Sequence, residues 1–366
     1  MYAVIDADTH IAEPAAMWDH IPPEMHLRRP VMVRLPEDTL YQKFDATWLI
    51  DGNIFPKGAG KGGTIFVTPS AQRFVQEMPD VPARELLDLG ARFSDMQKVG
   101  ADVQVVYPTL FLTFLTHDPK LEIALCQAYN RHLARVCAEA EGWLRWVLIP
   151  PLQTIEAAIK EIRYGKEHGA VGVFFRGIEK DRTLDDPYFF PIYEEAASLD
   201  LPICIHQGSG CPDWTKLMDL ARSSTFTHGR LPPLVAFRNI VANKIPELFP
   251  TLRFGFIETG ASWVPFVLHQ LKGIMGGPPE QWGPKLFEDY RIWVSYEQAE
   301  DLTYLAQYIG EDHLVIGSDY AHHGRDGIVA DPSAQLHYVS TLKSRGYPPS
   351  LVDKMLAANP HALYGI

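Results

Sequence analysis

Three observations in this sequence predict an α/β fold, a (β/α)8 TIM barrel with an insertion after its first strand. Eight short apolar runs alternate with helical patterns between Val4 and Gly317, and polar residues recur where those runs end. A Gly- and Pro-rich stretch from Glu13 to Pro82 interrupts the alternation directly after the first run. A doubly wound open sheet is the competing arrangement, but it usually carries fewer strands and leaves the polar strand ends unexplained.

The first strand is Val4-Ile5-Asp6-Ala7-Asp8-Thr9-His10, where Asp6, Asp8 and His10 share one parity and so project to one side. The stretch 13–82 that follows is far longer than the 2–6 residues of an ordinary βα loop, so it reads as a lid over the barrel mouth within one domain, 1–366. Its glycines, Gly58 to Gly63, lack the helix-starting G-K-[ST] of a phosphate loop. Regular alternation then begins. Arg84–Val99 reads as a helix, Asp102–Tyr107 as a strand, Lys120–Ala140 as a helix, Trp143–Ile149 as a strand, and Thr154–His168 as a helix. The strand Ala170–Phe175, the helix Tyr188–Leu199 and the strand Pro202–His206 continue it. The remaining expectations are the helix Pro232–Phe249, strand Arg253–Ile257, helix Trp263–Lys272, strand Arg291–Ser295, helix Glu300–Ile309 and strand Leu314–Gly317. A helical region from Ala334 to Leu363, broken near Pro348 and Pro349, closes the chain.

Bulk properties narrow the function classes. A chain of 366 residues that is 46% hydrophobic and 21% charged buries a large core. Its formal charge is −12 and it has no long basic run, so the electrostatic footprint of a nucleic-acid or anionic-membrane binder is missing. Small molecules are the expected partners. No apolar stretch approaches the ~20 residues of a membrane span, and no basic segment leads into an apolar one at the N-terminus, so the expected location is cytoplasmic. Cys126, Cys137, Cys204 and Cys211 form no C-x-x-C pair and read as reduced thiols.

In a (β/α)8 barrel the active site lies at the carboxyl ends of the strands. The first strand ends in Asp8-Thr9-His10, the fifth in His206-Gln207, the sixth in Glu258-Thr259-Gly260 and the eighth in Ser318-Asp319. Taken singly, His206 reads as a core histidine, and Glu258 and Asp319 as helix N-caps. Together they place two imidazoles and three carboxylates in one cavity, where buried carboxylates are costly unless paired or metal-bound. A hard oxygen beside imidazole nitrogens suits a divalent ion such as Zn2+ or Mn2+.

The D-x-D-x-H-x-x-E-P opening, His206, Gly317-Ser318-Asp319 and the closing Asn359-Pro360-His361-Ala362-Leu363-Tyr364-Gly365 resemble the amidohydrolase superfamily. The likeness is to its amidohydrolase-2 branch, which includes aminocarboxymuconate semialdehyde decarboxylase and the resorcylate-type decarboxylases. That resemblance implies a barrel holding one divalent metal ion through Asp8, His10, His206 and Asp319, and a homo-oligomer, dimer or tetramer. The sequence departs from the family in carrying Asp8 where many members have histidine, which tilts the metal from Zn2+ toward Mn2+ or Mg2+. It carries Glu258 where several decarboxylases have histidine. The fourth strand ends in Arg176, where dinuclear members have a bridging lysine.

Asp319, Glu258 and His228 are the candidate catalytic groups. Arg176 is a candidate grip for a substrate anion or, alternatively, a salt bridge at the barrel rim. Tyr107 and Trp214 are candidate aromatic walls, with core filling as the alternative. Two reactions fit these residues. One is non-oxidative decarboxylation of an aromatic or conjugated acid, with Asp319 or Glu258 protonating the carbon that loses CO2. The other is hydrolysis of a lactone, amide or ester by metal-activated water, with Asp319 taking the proton.

Overall fold

The computed structural model describes residues 3–35, 45–55, 68–71, 81–217, 225–321 and 336–366. Eight parallel strands form one sheet in chain order: β1 (Ile5–Ile11), β2 (Val103–Pro108), β3 (Leu144–Leu148), β4 (Ala170–Arg176), β5 (Ile203–His206), β6 (Phe254–Ile257), β7 (Ile292–Ser295) and β8 (Leu314–Val315). Backbone hydrogen bonds bring the end of β8 back to β1: Ala7 N donates to Ile316 O at 3.3 Å, Asp319 N to Asp8 O at 3.0 Å and His10 N to Tyr320 O at 2.7 Å. This is the eight-stranded barrel that the alternation of apolar runs predicts.

Each crossover carries a helix. In order they are α1 (Leu89–Val99), α2 (Pro119–Glu139), α3 (Ile155–Glu167), α4 (Phe190–Ser198), α5 (Leu231–Ala242), α6 (Val264–Met275) and α7 (Leu302–Ile309). The caps explain the starts, because Asp88, Asp118 and Asp301 each accept a backbone N–H from the first turn of α1, α2 and α7. Three predicted helices are shorter or broken. The turn Val81–Arg84 is separated from α1 by Leu86 in left-handed backbone, and α5 ends before Lys244, which has φ 54°. The C-terminal region divides into Tyr338–Ser344, Pro349–Asp353, a π-helical stretch Lys354–Ala358 and Asn359–Tyr364. Among the described residues no helix is long and apolar enough to cross a membrane.

The strands are buried along their length, and the apolar core runs from the barrel interior out to the helices. Between β1 and α1 the described part of the long insertion has more order than its composition implies. Two 3₁₀ turns, Ala15–His20 and Pro23–Arg28, lead into an antiparallel sheet of Val31–Arg34, Ala46–Ile50 and Asn53–Phe55. Side chains fasten it to the barrel. Trp48 Nε1 donates to Thr68 Oγ1 at 3.0 Å, Thr68 Oγ1 to Glu13 O at 2.7 Å just after β1, and Thr116 Oγ1, just before α2, to Asp51 Oδ2 at 2.6 Å. The glycine-rich tip Gly58 to Gly63 lies outside the described residues.

Candidate metal centre

The carboxyl ends of β1, β5, β6 and β8 meet at one point. Ligand atoms of Asp8, His10, His206 and Glu258 all lie within 4.8 Å of one another, and this is the single such cluster among the described residues. His206 Nε2 is 3.4 Å from Asp8 Oδ1 and 3.4 Å from Glu258 Oε2, while His10 Nε2 is 3.6 Å from Asp8 Oδ1 and 3.7 Å from Glu258 Oε2. Asp319 Oδ1 approaches His10 Nε2 at 3.3 Å from the outer side, with its side chain 37% exposed against 0% for both histidines.

Backbone carbonyls fix both imidazoles. His10 Nδ1 faces Pro108 O at 2.9 Å and His206 Nδ1 faces Gln207 O at 2.9 Å. An Nδ1 that donates to a carbonyl turns the Nε2 lone pair of each ring toward the carboxylates, the arrangement metal-ligating histidines use. Asp8 Oδ1 and His206 Nε2 are buried with no hydrogen-bond partner of good geometry. Burial disfavours the His206 cation, but Asp8 and then Glu258 outweigh it and raise the ring's pKa, so these surroundings favour positive charge. Two nitrogen and two oxygen donors converging on one point fit a divalent ion.

Strained and tightly packed backbone builds the cluster. Glu258 and Asp319 both sit in left-handed conformation, φ 52° and 55°, at the ends of β6 and β8, which swings their carboxylates toward the barrel axis. At Gly317 a Cβ would overlap Asp8, so only glycine lets the last strand approach the first ligand this closely. Asp6 ties the same seam from below, accepting Ser318 N at 2.8 Å and Ser318 Oγ at 2.7 Å, plus Gln104 Nε2 at 3.2 Å. Burial, partly offset by the Ser318 hydrogen bonds, pushes the Asp6 carboxyl up to about 7. Glu13 of the opening motif serves the fold, accepting Thr109 N and Leu110 N at 2.8 Å.

The structure sorts the other expected site residues. Glu258, expected as a proton-transfer group outside the ligand set, lies among the ligand atoms, while Asp319 lies at their edge. Arg176 takes the salt-bridge alternative: it is buried, 2.5 Å from Glu179 Oε2, and donates to Thr113 O at 2.9 Å. Tyr107 is packing, not a wall. It is fully buried, its ring centroid is 5.0 Å from that of His206, and its hydroxyl pairs with that of Tyr364 at 2.7 Å. Trp214 is half-buried and donates from Nε1 to Thr227 O at 2.7 Å, joining the helix Pro212–Leu217 to the π-helical turn Thr225–Arg230. His228 belongs to that turn, but its side chain is outside the described residues. Gln207, which sequence reasoning missed, donates to Glu258 Oε1. A cavity of about 370 Å3 opens over the cluster, lined by Asp8, Glu258, Asp319, Arg230, Tyr296 and Glu297 among others.

Residues 5–366 match the family model described as Amidohydrolase. Among curated relatives, the 2-amino-3-carboxymuconate-6-semialdehyde decarboxylase of Dictyostelium discoideum is 24% identical over 249 residues, covering 64% of this chain and 66% of the relative. The 2-keto-4-carboxy-3-hexenedioate hydratase of Sphingobium sp. (strain NBRC 103272 / SYK-6) is 25% identical over 209 residues, covering 54% of this chain and 58% of the relative. The aligned stretches thus span less than two thirds of each of these proteins. Among solved structures, an amidohydrolase from Mycobacterium avium subsp. paratuberculosis K-10 superposes with a TM-score of 0.75 at 19% identity, covering 100% of this chain and 98% of that one. The 5-carboxyvanillate decarboxylase of Novosphingobium aromaticivorans DSM 12444, solved with manganese and 4-hydroxy-3-methoxy-5-nitrobenzoic acid, superposes with a TM-score of 0.62 at 18% identity, covering 78% and 82%.

Proposed function

Because this chain belongs to the amidohydrolase family whose model spans residues 5–366, we propose that it is a metal-dependent, non-oxidative decarboxylase of a small aromatic or conjugated carboxylic acid. The observation that carries the reading is the convergence of two imidazole nitrogens and two carboxylates beneath a cavity that a third carboxylate, Asp319, borders. The decarboxylases among its relatives support the reaction class, and the manganese in one of them supports the cofactor class. Asp8, His10, His206 and Glu258 would hold a divalent ion, Zn2+ or Mn2+, which would supply Lewis-acid chemistry toward substrate oxygens.

The protein's own groups then divide the work. Asp8 and the two histidines, fixed by burial and by carbonyls of their neighbours, orient the ligand atoms. Asp319, at the cavity edge and open to solvent, delivers a proton to the carbon that loses CO2. The carbon–carbon bond breaks, its electron pair stays on that carbon, the new C–H bond takes it up, and Asp319 regains a proton from water. Tyr296 offers an aromatic face to a planar substrate within the same cavity.

A second reading, addition of water or hydrolysis of a lactone, amide or ester, is favoured by the hydratase relative. In it Asp319 accepts the proton that water loses. The two separate when protein loaded with Mn2+ or Zn2+ is incubated with a panel of hydroxybenzoates, conjugated dicarboxylic acids and lactones. Release of CO2 is the expected result; incorporation of 18O from labelled water without CO2 release would replace the lyase reading with the second.

A further inference from the structure

The charged residues lining the cavity over the cluster are nearly all acidic. Asp8, Glu258, Asp319 and Glu297 contribute four carboxylates, and Arg230 is the single cation among its described lining residues. Two carboxylates among the ligands of a divalent ion already balance its charge, and Asp319 and Glu297 remain beside it. An anionic substrate entering such a cavity meets repulsion unless a fixed cation receives it. We propose that Arg230 is the substrate-positioning residue: its guanidinium receives the carboxylate of the substrate. The substrate class is therefore small carboxylic acids, not their neutral amides or esters. The inference rests on the reading of this cavity as the substrate site.

The surroundings of Arg230 are built to hold it there. Its Nη2 lies 2.6 Å from Glu297 Oε1, which fixes the plane of the guanidinium and leaves further N–H donors of the fork for a ligand. The π-helical turn Thr225–Arg230 that carries it is packed against the cluster. A Cβ on Gly229 would come within 3.0 Å of Gln207 Oε1, and Gln207 in turn donates to Glu258. On the far side a Cβ on Gly260 would meet Arg230 Nη1 at 3.1 Å, and Gly260 has φ 62°, so glycine there both permits the turn and leaves the guanidinium its place. Burial works against the Arg230 charge, but Glu297, Glu258 and Glu300 outweigh it and raise its pKa, so it is a permanent cation. Arg176, by contrast, is committed to Glu179 and backbone carbonyls and does not line this cavity.

The test uses two probes of one shape and different charge, 4-hydroxybenzoate and 4-hydroxybenzamide, titrated calorimetrically into Mn2+-loaded protein. The parent should prefer the benzoate. In Arg230→Met that preference should fall roughly 10–100-fold, the scale of a lost hydrogen-bonded charge pair, while benzamide affinity changes little. Arg230→Lys should restore part of it, because the charge returns without the bidentate fork. Gly260→Ala, which leaves the arginine in place but pushes on it, should also weaken benzoate selectively. Metal content and melting temperature of every variant report that the site and fold persist. Equal binding of the two probes by the parent, binding of neither, or a benzoate preference that survives Arg230→Met overturns the inference. If the substrate panel yields hydration or hydrolysis while this preference depends on Arg230, the lyase reading falls and the inference stands.

Discussion

Glu258 and Asp319 are chemically alike and sit in the same unusual backbone conformation, yet their neighbours give them different work. Glu258 faces both imidazoles and takes a hydrogen bond from Gln207, whereas Asp319 touches His10 from the solvent side. Glu258→Gln should therefore lower divalent-ion affinity by roughly 10–100-fold or more, read by competition with a chelator. Asp319→Asn should keep most of the ion and lose turnover by roughly 10²–10⁴-fold. The reverse pattern would exchange the two roles. Gly317→Ala tests the seam, since its methyl must displace Asp8; metal content well below the parent's is expected, and parental content would show that the strands can move apart. At this scale the sequence was legible where parity helped. Asp8 and His10 alternate along a strand and point together, and His206 ends a strand. It was less legible for Glu258 and Asp319, because a carboxylate after a strand has the same local pattern whether it caps a helix or faces the barrel axis. It was also less legible for Arg176 against Arg230, because both meet a glutamate and which of the two lines the cavity is a tertiary fact.

Helices and strands were legible through their periodicity and caps, and two of the misjudged helix boundaries fall where one residue leaves helical backbone, Leu86 and Lys244 at positive φ. The small antiparallel sheet in the insertion escaped notice because its strands are short and three of their exposed positions, Val31, Leu49 and Ile54, are apolar, which blurs the alternation a half-buried strand shows. Helix α2 carries a titration of its own. Glu122 is pushed up to about 7 by burial, partly offset by Gln153 N, which donates to Glu122 Oε2 at 2.9 Å. A carboxyl whose folded pKa lies above the ordinary 4.5 contributes stability that is complete below pH 4.5 and disappears as pH rises through 7. Glu122→Gln, neutral throughout, should flatten this part of the melting temperature's decline between about pH 5 and pH 8. An unchanged slope would mean that the carboxyl is already ionised in the fold.

At the scale of the molecule the insertion 13–82 is tied to the barrel at its base through Glu13, Thr68 and Glu85, the last accepting Ser70 N at 2.6 Å. We propose that it covers the mouth and tunes specificity. Deleting Gly58 to Gly63 should alter KM or kcat while metal content and melting temperature stay at parental values; parental kinetics would refute a lid role for the tip. The seam that closes the barrel has a consequence for the life of the nascent chain. Asp6 is bonded to Ser318 across 312 residues, so its partner does not exist until that many more residues have been joined. At 5–20 residues per second that interval is about 15–60 s, during which Asp8 and His10 have left the exit tunnel but Gly317 has not been made. Closure of the barrel over the cluster therefore cannot precede the synthesis of Gly317, and until then the first strand lacks the neighbour that the last one supplies.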